Sequence, residues 1–250
     1  MAGTNKQNKF IFSKPSIILK SPQLAENIGM SARSMVNYGF SDLRIVNTKV
    51  SWPNNKAISS SAGAFDFISK TTKQYKKLEE SLEGVDILFA TSVRTRDLEK
   101  TILTPKQAIS IIKKLYIKKN IGFLFGPEKA GLNNNDLSEA NYVIQIPTNP
   151  KFGSLNLAMA VNIICHEWLN NEHKELLKNI LKESKLADKK NLLIFKNFLI
   201  KTMNEVNFFE NQNQEKMEIN LKNIFSKSFI TDKELSILYG VIKSLKEYKN

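Results

Sequence analysis

Four short stretches of this 250-residue chain concentrate the side chains that could bind a ligand or handle charge. The first, residues 21–33, reads as a loop running into a helix, with Asn27 and Gly29 near the helix start and Arg33 one turn inside. Asn37 follows Arg33 by four residues, so the guanidinium fork can lie along one helix face toward a phosphate or carboxylate. An ordinary surface arginine fits the same spacing. The second stretch, Thr91-Ser92-Val93-Arg94-Thr95-Arg96, directly follows an apolar run. Small hydroxyl residues at a strand end can hold a ligand through side chain and backbone, and arginines at i and i+2 can clamp an anion. A plain polar turn is the other reading.

The third stretch, Gly126-Pro-Glu128-Lys-Ala-Gly131-Leu132, has the glycines of a phosphate loop but lacks the Gly-Lys-Ser/Thr ending. The glycine spacing of a dinucleotide fold is absent as well. Nucleoside triphosphatases and dinucleotide oxidoreductases are therefore disfavoured. The fourth, Ile146-Pro-Thr-Asn-Pro-Lys-Phe-Gly153-Ser154-Leu155-Asn156-Leu-Ala158, is a loop entering a helix, where Ser154 reads first as an N-cap. No Gly-x-Ser-x-Gly elbow exists, and the two histidines, His166 and His173, lie close together, which rules against a serine hydrolase. Paired carboxylates are also missing, since Glu128 stands alone in its loop.

The elements that must position these loops follow from hydrophobic periodicity. Apolar runs at 16–20, 43–47, 85–93, 121–126 and 142–147 read as buried strands. Helical patterns lie between them at 25–38, ending at Gly39, at 74–83, ending at Gly84, and at 105–118, opening on Pro105. Strands alternating with helices give an α/β fold, a mostly parallel sheet with helices on both faces, in which ligands sit at the carboxyl ends of the strands. A further helix over 154–170 carries Leu155, Leu157, Ala158, Val161, Ile164, Cys165 and Trp168 on one stripe, which makes Cys165 a core residue. The chain divides into a flexible leader (1–15), the α/β domain (16–170), a polar linker (171–185) and a small helical domain (186–250). Helices are expected there at about 186–206, 215–228 and 232–248, the last opened by a Thr231/Glu234 capping box.

Composition narrows the partners. Lys+Arg number 37 against 24 Asp+Glu, a net charge of +13, which suits a polyanion such as nucleic acid and equally suits a solvated lysine-rich surface. Only four of the basic residues are arginines, Arg33, Arg44, Arg94 and Arg96, so these positions single themselves out as places where a planar fork is needed. One cysteine and two histidines leave no intrachain disulfide and argue against a metal site. No run approaches a membrane span and no signal-peptide core is present, so a cytoplasmic protein that does not engage a membrane is expected.

In order, Asn27-x-Gly29-x-x-x-Arg33, then Phe125-Gly-Pro-Glu-Lys-Ala-Gly-Leu132, then Ile146-Pro-Thr with Ser154-Leu-Asn156-Leu-Ala158-Met-Ala160 resemble the three motifs of the SpoU (TrmH-like) branch of the SPOUT methyltransferases. The segment 91–96 and the tail pattern around residues 221–240 are similar to the TrmJ family within it. The resemblance implies a trefoil-knotted homodimer that binds S-adenosylmethionine and methylates a ribose 2′-hydroxyl of tRNA at nucleotide 32 of the anticodon loop. Ribosomal RNA as substrate, or a non-catalytic RNA-binding protein, are the alternatives. By the same resemblance Arg33, Ser154, Asn27 and Asn156 are the catalytic residues. Thr91, Ser92, Val93, Gly126, Glu128, Gly131, Ile146, Gly153, Ser154 and Leu155 would contact the cofactor, and Arg33, Arg94 and Arg96 the RNA. The chain departs from the family's Tyr-Ser-Ser-Leu-Asn loop by carrying Phe152-Gly153-Ser154. A guanidinium with a pKa above about 12 is a poor base at neutral pH, so Arg33 is read as a contact to phosphate and developing oxyanion.

Overall fold

The computed structural model describes residues 13–93, 100–170, 186–209, 213–227 and 230–247. Seven strands, β1 (Ser13–Lys20), β2 (Phe40–Val46), β3 (Lys73–Tyr75), β4 (Ile87–Thr91), β5 (Ile102–Leu103), β6 (Ile121–Phe125) and β7 (Tyr142–Ile144), form one sheet. Its order is β3-β2-β1-β6-β4-β7-β5, and every pairing is parallel. The α/β expectation thus holds, and all strand ends that precede the four loops point the same way.

Period-2 alternation in the central strands sends neighbours to opposite faces. Ile17 and Leu19 of β1 join one core with Phe89 and Phe123. This core is covered by α1 (Ala25–Asn37), α4 (Pro105–Leu115) and α6 (Leu157–Asn170) through Ile28, Met35, Ile109, Ile112, Val161 and Ile164. Ile18, Leu88 and Leu124 face the other core, closed by a 3-10 turn, Glu79–Leu82, and by α5 (Asn134–Ser138). Each fully buried Leu, Ile or Phe contributes on the order of 1.5–3 kcal/mol, so the sheet's position is set by its apolar pattern. Cys165 is fully buried, as the stripe on α6 required.

Local signals explain the element ends. Thr104 caps α4 through a capping box with Gln107, and Pro105 takes the first helical position. Gly39 closes α1 at φ 82°, a conformation that favours glycine. Two further helices, α2 (Asn55–Ser61) and α3 (Phe65–Ile68), had no periodic signal. Asn54 caps α2 by accepting from the Ala57 amide, and α2 packs so closely on α1 that a Cβ at Gly29 would stand 2.1 Å from the Ala57 carbonyl oxygen. Gly29 is therefore a packing residue.

The helix expected over 74–83 is not formed. Residues 73–75 instead pair with β2 as an edge strand, and only the 3-10 turn follows. Leu78 and Leu82, both buried, are spaced i and i+4 and produced the helical pattern without a helix. The strands expected to run to 93 and 147 end at Thr91 and Ile144, where the backbone turns out into the loops. β1 starts at Ser13, inside the expected leader, whose remainder lies outside the described residues.

Beyond 186 the chain is helical, in α7 (Lys189–Glu205), α8 (Gln214–Lys227) and α9 (Asp232–Glu247). Thr231 and Glu234 form the capping box, with the Thr231 amide donating to Glu234 at 2.7 Å and the Glu234 amide to Thr231 Oγ1 at 3.1 Å. A small core of Leu192, Phe195 and Leu235, with Phe225 and Tyr239, holds the three together. The expected linker, 171–185, lies outside the described residues.

Candidate active site

Three parallel strands deliver their following loops to one pocket of about 220 Å3. Its walls come from Thr91, Ser92 and Val93 after β4, from residues 126–132 after β6, from Ile144 and Ile146 at the end of β7, and from Ser154, Leu155, Leu157 and Ala160 at the entry to α6. Nine of the ten residues expected to contact a cofactor line it; Gly153 is the exception. Gly153 sits just behind, where a Cβ would meet Thr148 Oγ1 at 3.2 Å and Val93 Cγ1 at 3.3 Å. Arg94 and Arg96 lie outside the described residues.

Backbone geometry fixes each wall. Ser92 N–H donates to the Ile144 carbonyl at 3.0 Å, and Thr91 Oγ1 donates to the Leu124 carbonyl at 3.1 Å, which ties the β4 loop to both neighbouring strands. Gly126 lies against the end of its own loop, and a Cβ there would stand 2.4 Å from Leu132 N. No side chain can be accommodated without moving backbone. Gly131, at φ 66°, turns that loop back toward Leu132, and its amide donates to the Pro127 carbonyl at 2.8 Å.

Glu128 is not isolated, as its loop suggested. Its carboxylate accepts from the backbone amides of Gln23 at 2.9 Å and Leu24 at 3.4 Å and from Asn27 Nδ2 at 2.7 Å. Asn27 Oδ1 in turn accepts from Asn156 Nδ2 at 2.8 Å. Asn156 Oδ1 accepts from the amides of Ala158 at 2.8 Å and Met159 at 3.4 Å, which makes Asn156, and not Ser154, the cap of α6. A chain of hydrogen bonds therefore joins the first, third and fourth loops across more than a hundred residues of sequence. Ser154 is left exposed at the pocket wall, with no capping duty.

Arg33 does not line this pocket. It is exposed on the outer face of α1 beside Met30 and Asn37, and no described residue pairs with its guanidinium. α1 packs on α6, whose own outer face exposes Met159 and Leu169. Arg44, by contrast, spends its fork structurally: it holds Asp42 through Nε and Nη2 and donates from Nη1 to the carbonyls of Ser81 and Glu83. Among the described residues no group of His, Cys, Asp and Glu is arranged to hold a metal ion, and no helix is long and apolar enough to cross a membrane.

Comparison with known proteins agrees with this geometry. The sequence model of the SpoU rRNA Methylase family matches residues 14–166, the whole of the sheet and its loops. The tRNA (cytidine/uridine-2′-O-)-methyltransferase TrmJ of Photorhabdus laumondii is 31% identical, covering 93% of this chain and 96% of that protein. The tRNA (cytidine-2′-O-)-methyltransferase TrmJ of Methanocaldococcus jannaschii is 32% identical over 91% of this chain and 98% of its own. The crystal structure of TrmJ from Z. mobilis superposes with a TM-score of 0.83 at 32% identity, covering 94% of this chain and 100% of that one, so the likeness extends through the C-terminal helices. The chain belongs to the SpoU methylase family of RNA ribose 2′-O-methyltransferases, within its TrmJ group.

Proposed function

We propose that the protein transfers a methyl group from S-adenosylmethionine to the ribose 2′-hydroxyl of nucleotide 32 in the tRNA anticodon loop, and that it works as a cytoplasmic homodimer. The observation that carries this reading is the convergence of the motif loops on one pocket, locked by the Asn156–Asn27–Glu128 hydrogen-bond chain. The pocket suits the cofactor's two chemistries. Phe125, Leu132, Ile146 and Leu157 offer apolar surface to a nucleobase, while Thr91, Ser92 and the close-packed backbone at Gly126 offer hydrogen-bonding edges.

The cofactor, when bound, supplies an electrophilic methyl group. The chain's own part is alignment and the handling of charge on the attacking oxygen. Ser154, exposed at the wall, would meet the ribose, and Asn27 and Asn156 hold the loops that carry it. Arg33 cannot serve the pocket of its own chain from the outer face of α1, so a second protomer that covers α1 and α6 would bring its Arg33 to this pocket. The exposure of Met30 and Met159, 38% and 61%, supports that docking face, since a partner covering it would bury both. There the fork binds the phosphate beside the target ribose and stabilises the developing oxyanion. The trefoil knot is part of this reading on the strength of the resemblance.

The reading is tested by incubating the protein with radiolabelled S-adenosylmethionine and tRNA transcripts. Label is expected in a 2′-O-methylated nucleoside, and a 2′-deoxy substitution at nucleotide 32 should abolish it. Label in ribosomal RNA alone, or no label, overturns the assignment. Mixing Arg33→Ala with a pocket-dead Gly126→Ala variant should restore transfer, since each heterodimer then has one complete site. Failure of that complementation in a proven dimer sinks the trans role of Arg33.

A further inference from the structure

Buried charge is expensive, and the second sheet face holds an unusual amount of it. Glu139, at the end of α5, is 3% exposed and accepts from Lys196 of α7 at 2.5 Å, a lysine that is equally buried. Lys189, the first residue of α7 and also 3% exposed, donates to the Glu139 carbonyl at 3.0 Å. Lys100 donates to the carbonyls of Ser138 and Ala140. Three lysine side chains thus close the carboxyl end of a five-residue helix, Lys100 and Lys189 on the carbonyls that the helix leaves unpaired and partially negative and Lys196 on the Glu139 carboxylate. Two of the three come from the C-terminal helices. From α8, Lys222 reaches Asn135 Oδ1 in the first turn of α5 at 3.2 Å.

What α5 does at its other end gives this clamp its meaning. Asn133 and Asp136 form the capping box that opens the helix, immediately after Leu132. Leu132 is a wall of the pocket and packs in the same core as Leu137 of α5. Asp136 also pairs with Lys20 at the end of β1, one residue before the loop whose Gln23 and Leu24 amides hold Glu128. A short helix with so few internal hydrogen bonds has little stability of its own, so its position depends on what grips it. We propose that the C-terminal helices position the pocket loop 126–132 through α5, with Glu139 as the positioning residue. The helical domain is then a brace for the cofactor site in addition to any part it takes in holding RNA. The inference rests on the reading of that pocket as the S-adenosylmethionine site.

The test uses the full chain in two variants, Glu139→Gln, which removes the buried carboxylate, and Lys222→Ala, which removes the surface hydrogen bond to Asn135 of α5 and one of the weaker charges acting on Glu139. Three readouts apply: S-adenosylmethionine affinity by titration calorimetry, amide hydrogen exchange of residues 126–132 without cofactor, and KM set against kcat. Folded Glu139→Gln should bind S-adenosylmethionine roughly fivefold to tenfold more weakly, inside the range of coupling carried through packed networks. It should exchange faster at 126–132, and KM for the cofactor should rise while kcat at saturation changes little. Lys222→Ala should move all three in the same direction by less. Were Glu139→Gln not to fold, the double variant Glu139→Gln/Lys196→Met, which removes both charges, and Lys222→Ala decide the matter. Faster exchange confined to the C-terminal helices, with cofactor affinity within twofold of wild type, overturns the proposal. Wild-type protein that binds no S-adenosylmethionine would instead overturn the cofactor reading, and the exchange of 126–132 would still judge the brace.

Discussion

Individual residues divide into those whose role could be read from type and spacing and those that needed their neighbours. Gly126 was legible as a loop glycine, but its reason is a backbone contact with Leu132, a residue six places on. Gly126→Ala should fold and lose S-adenosylmethionine binding by calorimetry, because the new methyl drives the two strands of the loop apart. Gly29→Ala should do the reverse. It should lower stability by about 1–3 kcal/mol in denaturant melts, the usual cost of overpacking, while the folded fraction still binds cofactor. Glu128 was misread as solitary, since its three donors come from residues 23–27 and no local pattern predicts a contact across a hundred positions. Arg33 was legible as unusual, being one of four arginines among 37 basic residues, although nothing in sequence placed it outside its own pocket.

Elements with strong periodicity or capping were foreseen best at their starts: α1, α4, α9, β6 and β7 open at the expected residue, while α4, β4 and β7 stop short of the expected ends. The losses were short or polar. β5 spans two residues and takes its place only because β7 offers an edge, while the Ser- and Asn-rich α2 forms because Asn54 caps it and Gly29 lets it approach. At the 3-10 turn, two buried leucines at helical spacing misled because tertiary burial can impose that spacing without a helix. α6 shows how an element and the site share one residue: Asn156 caps the helix and also holds Asn27. Asn156→Ala should therefore cost about 1 kcal/mol of stability from the cap in chemical denaturation, and in methyl-transfer assays should lose far more activity than that deficit explains. Asn156→Asp, which keeps the cap acceptor but not the donor to Asn27, should recover the stability alone.

At the scale of the whole molecule, the charge excess and the cluster between the two parts predict opposite kinds of sensitivity. The +13 net charge, if it meets RNA phosphates, makes tRNA affinity fall steeply between 50 and 200 mM salt, on the order of tenfold or more. Filter binding that showed no slope would remove the electrostatic reading. The buried cluster responds to pH. Burial pushes the Glu139 carboxyl up, but Lys196, with Lys189 and Lys222, outweighs it and holds the group below the ordinary glutamate range. Its contribution is therefore present above the unfolded pKa and lost as pH falls through the folded one. Burial, with Lys196 beside it, pulls Lys189 well below the ordinary lysine value, so the native state sheds its proton first and stability rises with pH across that window. Both groups act in one direction. Thermal melts should show stability decreasing from about pH 5 toward pH 3, with a shallower decline in Glu139→Gln.

The lone thiol offers a way to watch such openings. Cys165 sits at 0% exposure on the inner stripe of α6, and burial raises its pKa far above the ordinary thiol value, so neither access nor ionisation favours attack on it. With no second sulfhydryl in the chain, a disulfide reagent such as a nitrobenzoate dimer has a single target. Its labelling rate at neutral pH becomes a clock for the separation of α6 from the sheet. Native protein should remain unlabelled on the timescale of minutes and denatured protein should react at once. Because α6 begins at the residue that locks the site, saturating cofactor should slow the labelling further.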